Sequence, residues 1–369
     1  MLCAMVEGTQ NLSPKFKHLL SGVDTLEVCF YLRPLATCAL QFDDLLARKE
    51  ALRQARSRTP EEIRIGDESF LLQPYGSGSG YPLIFSNAWA VVSYGEKNRP
   101  PFYVKFLSQG LWQYGWQALV AKFLAWAHGV GFETFAAERV SRVDFSFDYW
   151  LAELDFDHLN FISLSAKDNH HREHQKYQTF DFGRGDAKLR VYDKIAEIKQ
   201  QSAKTFFYDL WKLDEGVWRV EWQVRKELLK RFGARTIEGL ADQAGDLLTY
   251  LSTEHDTLRI VTSDSNRSRW PVHPLWQDVQ RQAAAFNRQG VLAEIDPGAS
   301  MEERLQYCAM SLYGYAKAVA AMEAVRQGTS AMAFPDAVSR VGALIRSAHN
   351  PAIWAHDVAK KISQLRLGS

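Results

Sequence analysis

SRVDFSFDYWL, Ser141 to Leu151, alternates without a break: Val143, Phe145 and Phe147 fall on one side of an extended chain, Asp144, Ser146 and Asp148 on the other. Strict period-two patterning predicts a strand whose apolar face packs on helices and whose polar face presents two carboxylates in register. VWRVEWQVR, Val217 to Arg225, repeats the design, with Val220, Trp222 and Val224 inward and Arg219, Glu221, Gln223 and Arg225 outward. If these strands are neighbours, Asp144, Asp148 and Glu221 converge. Hard divalent cations prefer oxygen ligands, so the three are candidate ligands for Mg2+ or Mn2+. The competing reading is the solvated polar face of a half-covered sheet.

Between them lies LRVYDKIAE, Leu189 to Glu197. Extended, it sets Lys188, Arg190, Tyr192 and Lys194 on one side, a phenol among three cations. A phenol ionises near pH ~10, so it is a poor nucleophile at neutral pH unless its surroundings favour the anion. Arg190 and Lys194 are expected to do so and to hold a phosphodiester during attack. A tyrosine of the half-buried sheet, its cations paired with surface acids, is the plainer alternative.

The rest of the chain frames this region. DTLEVCFYLR (24–33) reads as a strand, 43–57 as a charged helix, and WAVVSYGEKNRPPFYVKFL as two strands joined by a loop. WQALVAKFLAWAHGVG then reads as a helix stopping at glycine. The same order begins again after residue 139: a strand, a polar loop, the hairpin TFDFGRGDAKLRVYD turning at Gly183 to Asp186, a helix and a closing strand. FYVKF of the first half stands where LRVYDK stands in the second, which suggests an internal duplication. Asp24 and Glu27 do not share a face of a regular strand, so the first copy would have lost the acid pair. From about residue 240 the pattern is helical. The fold class expected is α+β, with units at 1–138, 139–240 and 241–369.

Composition adds exclusions. Lys and Arg number 44 against 43 acids, so any nucleic-acid surface is a local patch and not a global field. Four cysteines without a CxxC pair argue against a zinc ribbon or a disulfide framework. No apolar run reaches membrane-span length and the N-terminus lacks a signal-peptide pattern, so a cytoplasmic protein is expected.

RVDFSFD, TFDFGRGDAKLRVYDK and WRVEWQVR together resemble the replication-initiation-factor (Rep_trans-type) family, rolling-circle initiators of plasmids and filamentous phages, and related relaxases of conjugative elements. The resemblance is strongest over 139–235. It implies duplicated HUH-like antiparallel units and a site-specific DNA endonuclease and strand transferase. The enzyme would nick an origin, single-stranded or hairpin, and leave a 5′-phosphotyrosine and a free 3′-hydroxyl. Carried onto this sequence, Tyr192 is the nucleophile, Asp144, Asp148 and Glu221 the metal ligands, and Arg190, Lys194, Arg219 and Arg225 the phosphate contacts. The implied partners are origin DNA, a host helicase, a DNA polymerase and a second copy of the chain. A relaxase uses the same chemistry; a catalytically idle DNA-binding regulator, or a scaffold without DNA, are readings from other classes.

Further residues suggest DNA contacts. Arg225, Lys226, Lys230, Arg231 and Arg235 lie on or beside a basic helix suited to tracking phosphates. Arg267 and Arg269 interleave with Trp270 and Trp276 in a loop that could stack unpaired bases; a basic solvated face and tryptophans pinning a loop are the bland readings. Trp112, Tyr114 and Trp116 alternate in GLWQYGW. In NHHREH, His170, His171 and His174 do not form a strand-borne ligand pair and are not assigned a metal; Tyr177 is the reserve nucleophile.

Overall fold

The computed structural model describes residues 15–56, 59–173, 175–286 and 297–368. Two long strands form its spine: β1 (Phe16–Pro34) and β7 (Phe132–Leu151), paired antiparallel along nearly their whole length. Between them come α1 (Phe42–Gln54), β2 (Glu61–Ile65), β3 (Glu68–Leu72), β4 (Leu83–Ser86), β5 (Ala90–Tyr94), β6 (Phe102–Phe106), α2 (Ser108–Tyr114) and α3 (Trp116–Val130). After β7 the chain forms β8 (Phe161–Ser163), β9 (Asp168–Glu173), β10 (Lys176–Phe182), β11 (Ala187–Asp193), α4 (Lys194–Glu197), α5 (Phe206–Trp211) and β12 (Val217–Arg225). The helix α6 (Lys226–Arg231), α7 (Ile237–Tyr250), the short strand β13 (Asp256–Leu258), α8 (Pro274–Ala284), α9 (Pro297–Gln327), α10 (Phe334–Ala348) and α11 (Pro351–Gly368) complete it. The α+β class and the helical end of the chain agree with the sequence reading.

Among the described residues, 11 strands make one antiparallel sheet in the order β2-β3-β4-β5-β6-β1-β7-β12-β11-β10-β9. From the β1–β7 seam outward the connectivity is the same on both sides: the last strand of each half pairs with its long strand, and earlier strands follow in reverse. FYVKF therefore occupies the place of VWRVEWQVR, since β6 pairs with β1 as β12 pairs with β7, and AVVSY of β5 stands where β11 does. The expected match of FYVKF to LRVYDK is off by one strand. The boundary drawn at 138/139 falls within β7 and that at 240/241 within α7, because one sheet and one core run through both.

The apolar face behaves as the alternation requires. Val143, Phe145, Phe147 and Trp222 are buried with Leu247, Trp276 and Val279 from α7 and α8, and Phe30, Phe106 and Phe123 join β1, β6 and α3 in the same core. The polar face does not. It is roofed by α2, α4 and α5, so Asp148 and Arg219 are both 0% exposed. A second apolar cluster, Trp112, Ile195, Ile198, Phe206, Phe207, Trp211 and Val217, supplies that roof. GLWQYGW is accordingly helical, not alternating: Trp112 and Trp116 are buried on α2 and α3 while Tyr114 is exposed. Cys29, Cys38 and Cys308 are unpaired, with Cys38 buried and Cys308 exposed; Cys3 lies outside the described residues. No helix among the described residues is long and apolar enough to cross a membrane.

Candidate active site

β11 pairs antiparallel with β12, setting Arg190 opposite Glu221 and Tyr192 opposite Arg219. The strand stops one residue past the tyrosine because the Asp193 carboxylate accepts the Ala196 N–H at 2.9 Å and caps α4, so YDK is a strand end, a cap and a helix start. The Tyr192 hydroxyl donates to Glu221 Oε2 at 3.0 Å. The Arg190 guanidinium lies 4.7 Å from the Tyr192 ring and 3.4 Å from Glu221 Oε1. Lys194, 5.6 Å from the same ring, donates to Glu197 at 2.6 Å.

The cations do not act on the phenol as expected. Each is paired with acids: Lys188 and Arg190 share Asp181, at 3.2 and 3.3 Å, Arg190 also meets Glu221, and Lys194 meets Glu197. Tyr192 is buried, and burial, reinforced by the Glu221 carboxylate, raises its pKa well above the usual phenol value against the pull of Arg219 and Arg190. The resting hydroxyl is a protonated donor to a carboxylate, which is the geometry of a nucleophile beside a general base. Burial first, and Arg219 next, push Lys194 down to about 8. A small cleft of about 60 Å³ leads to the tyrosine, lined by His171, Thr179, Arg190, Tyr192, Glu197 and Gln200.

The three predicted acids lie on one face of adjacent strands, Asp148 opposite Arg219 and Glu221 opposite Ser146. Each is committed to an arginine. Asp148 takes Arg219 Nε at 2.6 Å and Nη2 at 2.8 Å and also accepts Trp211 Nε1 at 3.0 Å. Asp144 takes Arg142 at 2.8 and 2.5 Å, while burial, with Glu221 adding to it, pushes its carboxyl up to about 7. Among the described residues no three His, Cys, Asp or Glu side chains form a metal-binding group. In this arrangement the donor set does not fit a divalent cation, because a metal would have to displace guanidinium groups that already satisfy the oxygens.

Arg219 also departs from its expected role. Its third nitrogen, Nη1, is 2.9 Å from Asp24 Oδ1 without hydrogen-bond alignment, and the whole side chain is buried, so no phosphate reaches it in this arrangement. Asp24 reaches this face because the β1–β7 register shifts between Val23 and Thr25. That bulge overturns the expectation that Asp24 and Glu27 point apart: Glu27 meets Arg142 at 3.4 Å and accepts the Tyr103 hydroxyl on the same side of the sheet. Asp24, Arg142, Lys204 and Trp211 were not among the predicted site residues. Only Arg142 carried a signal, since it continues the Asp144–Asp148 alternation.

The outer residues sort differently. Arg225, Lys226, Lys230 and Arg231 are exposed around α6, with Arg231 also stacked over Tyr250 at 4.7 Å. Arg267 donates to the Leu159 and Phe161 carbonyls, the latter at 2.7 Å, and Trp270 is buried with its indole N–H on the Asp264 carbonyl at 2.7 Å. Trp276 is buried in the core. These groups pin a loop, so the stacking platform expected there is not formed; Arg269 is exposed, its guanidinium 3.8 Å from Asp264. Tyr177 sits on the other side of β10 from the Tyr192 cleft, packed on Phe180, with its hydroxyl 3.0 Å from His158 Nδ1. His170 stacks on His158 at 4.5 Å, His171 lines the Tyr192 cleft, and His174 lies outside the described residues.

No family model matches the sequence. No curated protein matches it either. Among solved structures, the chain is similar to the rolling circle replication initiator protein from Geobacillus stearothermophilus, at 16% sequence identity and a TM-score of 0.45, over 74% of this chain and 99% of that one.

Proposed function

We propose that this protein initiates rolling-circle DNA replication by nicking one strand through transesterification at Tyr192. The observation that carries the reading is the Tyr192 hydroxyl donating to Glu221 at 3.0 Å beside the Arg190 guanidinium, at the end of a cleft. Glu221 takes the phenol proton as the tyrosine oxygen attacks phosphorus; the bond from phosphorus to the 3′ oxygen breaks, and that oxygen leaves with a proton from water. One phosphodiester replaces another, so the link stores the energy for later rejoining. Arg190 supplies positive charge where negative charge builds on the phosphoryl oxygens. The two matching halves of the sheet fit a duplicated HUH-like ancestry in which the first copy no longer cuts.

A relaxase would use the same residues on a transfer origin. The idle-regulator reading has its own support in the burial and high pKa of the phenol, which keep Tyr192 unreactive until DNA rearranges its surroundings. Mg2+ or Mn2+ would have to compete with Arg142 for Asp144 or with Arg190 for Glu221. Incubating the protein with single-stranded fragments of its own genetic element, with and without chelator, tests both points. A covalent protein–DNA band lost in Tyr192→Phe supports the nicking enzyme, and loss on chelation supports a metal. DNA binding without any band supports the regulator.

A further inference from the structure

We propose that Asp24, from the first half of the chain, is a positioning residue for the Tyr192 site in the second. The inference rests on the nicking role proposed above. Asp24 is 5% exposed and gathers partners from three directions: Ser108 Oγ and Trp112 Nε1 of α2 donate to Oδ1 at 2.6 and 3.0 Å, Arg219 Nη1 lies 2.9 Å from Oδ1, and Lys204 Nζ lies 2.9 Å from Oδ2. Arg219 stands opposite Tyr192 in the β11–β12 register, and Lys204 belongs to the strap 194–212 that roofs it. One carboxylate thus ties the wall of the site (β12), its roof (the strap) and the first-half helix α2 to each other.

Stability alone does not call for this design. A buried ion-pair network is often no more stabilising than apolar side chains of the same volume, while its directional bonds hold geometry. Asp148 accepts hydrogen bonds from the Nε and Nη2 edge of Arg219, and Asp24 Oδ1 faces Nη1 at 2.9 Å as an ion pair without hydrogen-bond alignment, so carboxylates from two strands flank the guanidinium. Phe207 lies 4.5 Å over that plane and Lys194 packs 5.3 Å from Phe207, so the strap follows Arg219. The first half therefore takes part in the chemistry without touching the reacting atoms.

The test compares full-length wild type, Asp24→Asn and Asp278→Asn. Asp278 is a second buried carboxylate, bonded to Tyr149 at 2.9 Å away from the site, and controls for lost stability. Two quantities are read on a single-stranded DNA substrate: the single-turnover rate of covalent adduct formation at saturating DNA, and the Kd. Trypsin cleavage after Lys199, Lys204 and Lys212 reports the strap. Asp24→Asn is expected to slow the adduct step by about 10- to 100-fold, the scale of a small misplacement of reacting groups, with Kd within about twofold and faster strap cleavage. Asp278→Asn is expected to keep both wild-type rates. Equal adduct rates in wild type and Asp24→Asn, or equal slowing in both variants at matched melting temperature, would overturn the positioning role while leaving the nicking reading intact. Silence of the wild type itself would remove that reading, and the positioning role with it.

Discussion

Tyr192 and Glu221 form a donor–acceptor pair that carries the proposed chemistry, and each can be removed separately. Tyr192→Phe deletes only the hydroxyl, so the fold should survive at a cost of about 1–3 kcal/mol for the unpaired carboxylate while adduct formation disappears; a denaturation curve and a denaturing gel check the two halves. Glu221→Gln should keep DNA affinity and slow the adduct step by about 10²- to 10⁴-fold, the usual worth of a general base. Lys194 gives a pH signature. Its folded pKa of about 8 lies below the ordinary lysine value, so between about 8 and 10.4 the unfolded chain binds more protons and stability rises with pH. Unfolding free energies of wild type minus Lys194→Met should therefore rise across that window; a flat difference would mean that Lys194 is not held against its charge. Tyr192, Arg190 and Glu221 were legible as neighbours because alternation on two strands names a face, whereas Lys194, expected to continue that alternation, opens helix α4. The sign of the electrostatics was not, because alternation is silent about what roofs that face.

At the scale of elements, the roof and the bulge decide the site. Ala203 and Lys212 bracket α5 with left-handed backbone, φ 51° and 55°, which folds the strap back over the sheet so that Phe207 and Trp211 cover Arg219 and Asp148. β1 must come close beneath α2, and Gly22 allows it: a Cβ there would sit 2.8 Å from the Trp112 ring. Gly22→Ala should push Trp112 off Asp24, destabilise the protein by about 1–3 kcal/mol and slow the adduct step, read by chemical denaturation and the same gel. An unshifted midpoint would show that the ring has room to move. The strand DTLEVCFYLR and the helix WQALVAKFLAWAHGVG were readable from period, whereas the register shift at Val23/Thr25 was not, since a bulge changes the facing of Asp24 without changing its neighbours in sequence. The strap eluded the same reading because its aromatics, FFYDLW, fit a helix with no sign of what lies under it.

For the whole molecule, one sheet joins both halves, so cutting the chain at 138/139 would divide β7 and should yield fragments that do not fold separately. Net charge is near zero, so the proposed function requires DNA affinity to come from local patches such as Lys226 and Lys230 on the exposed side of α6. Replacing both by alanine should flatten the dependence of log affinity on log salt by roughly 0.7 for each single-strand phosphate that is no longer neutralised, measured by titration at several salt concentrations. The types of element were visible in the sequence because strand alternation and helical spacing differ in period. Which strands correspond was not, because α4 and α5 intervene between β11 and β12 where β5 and β6 follow directly. The most direct measurement of the central claim is the denaturing gel of protein incubated with single-stranded DNA from its own element, wild type beside Tyr192→Phe and Tyr177→Phe. A DNA-linked band in wild type and Tyr177→Phe that is absent in Tyr192→Phe is the predicted result; a band that persists in Tyr192→Phe, or vanishes only in Tyr177→Phe, would contradict it.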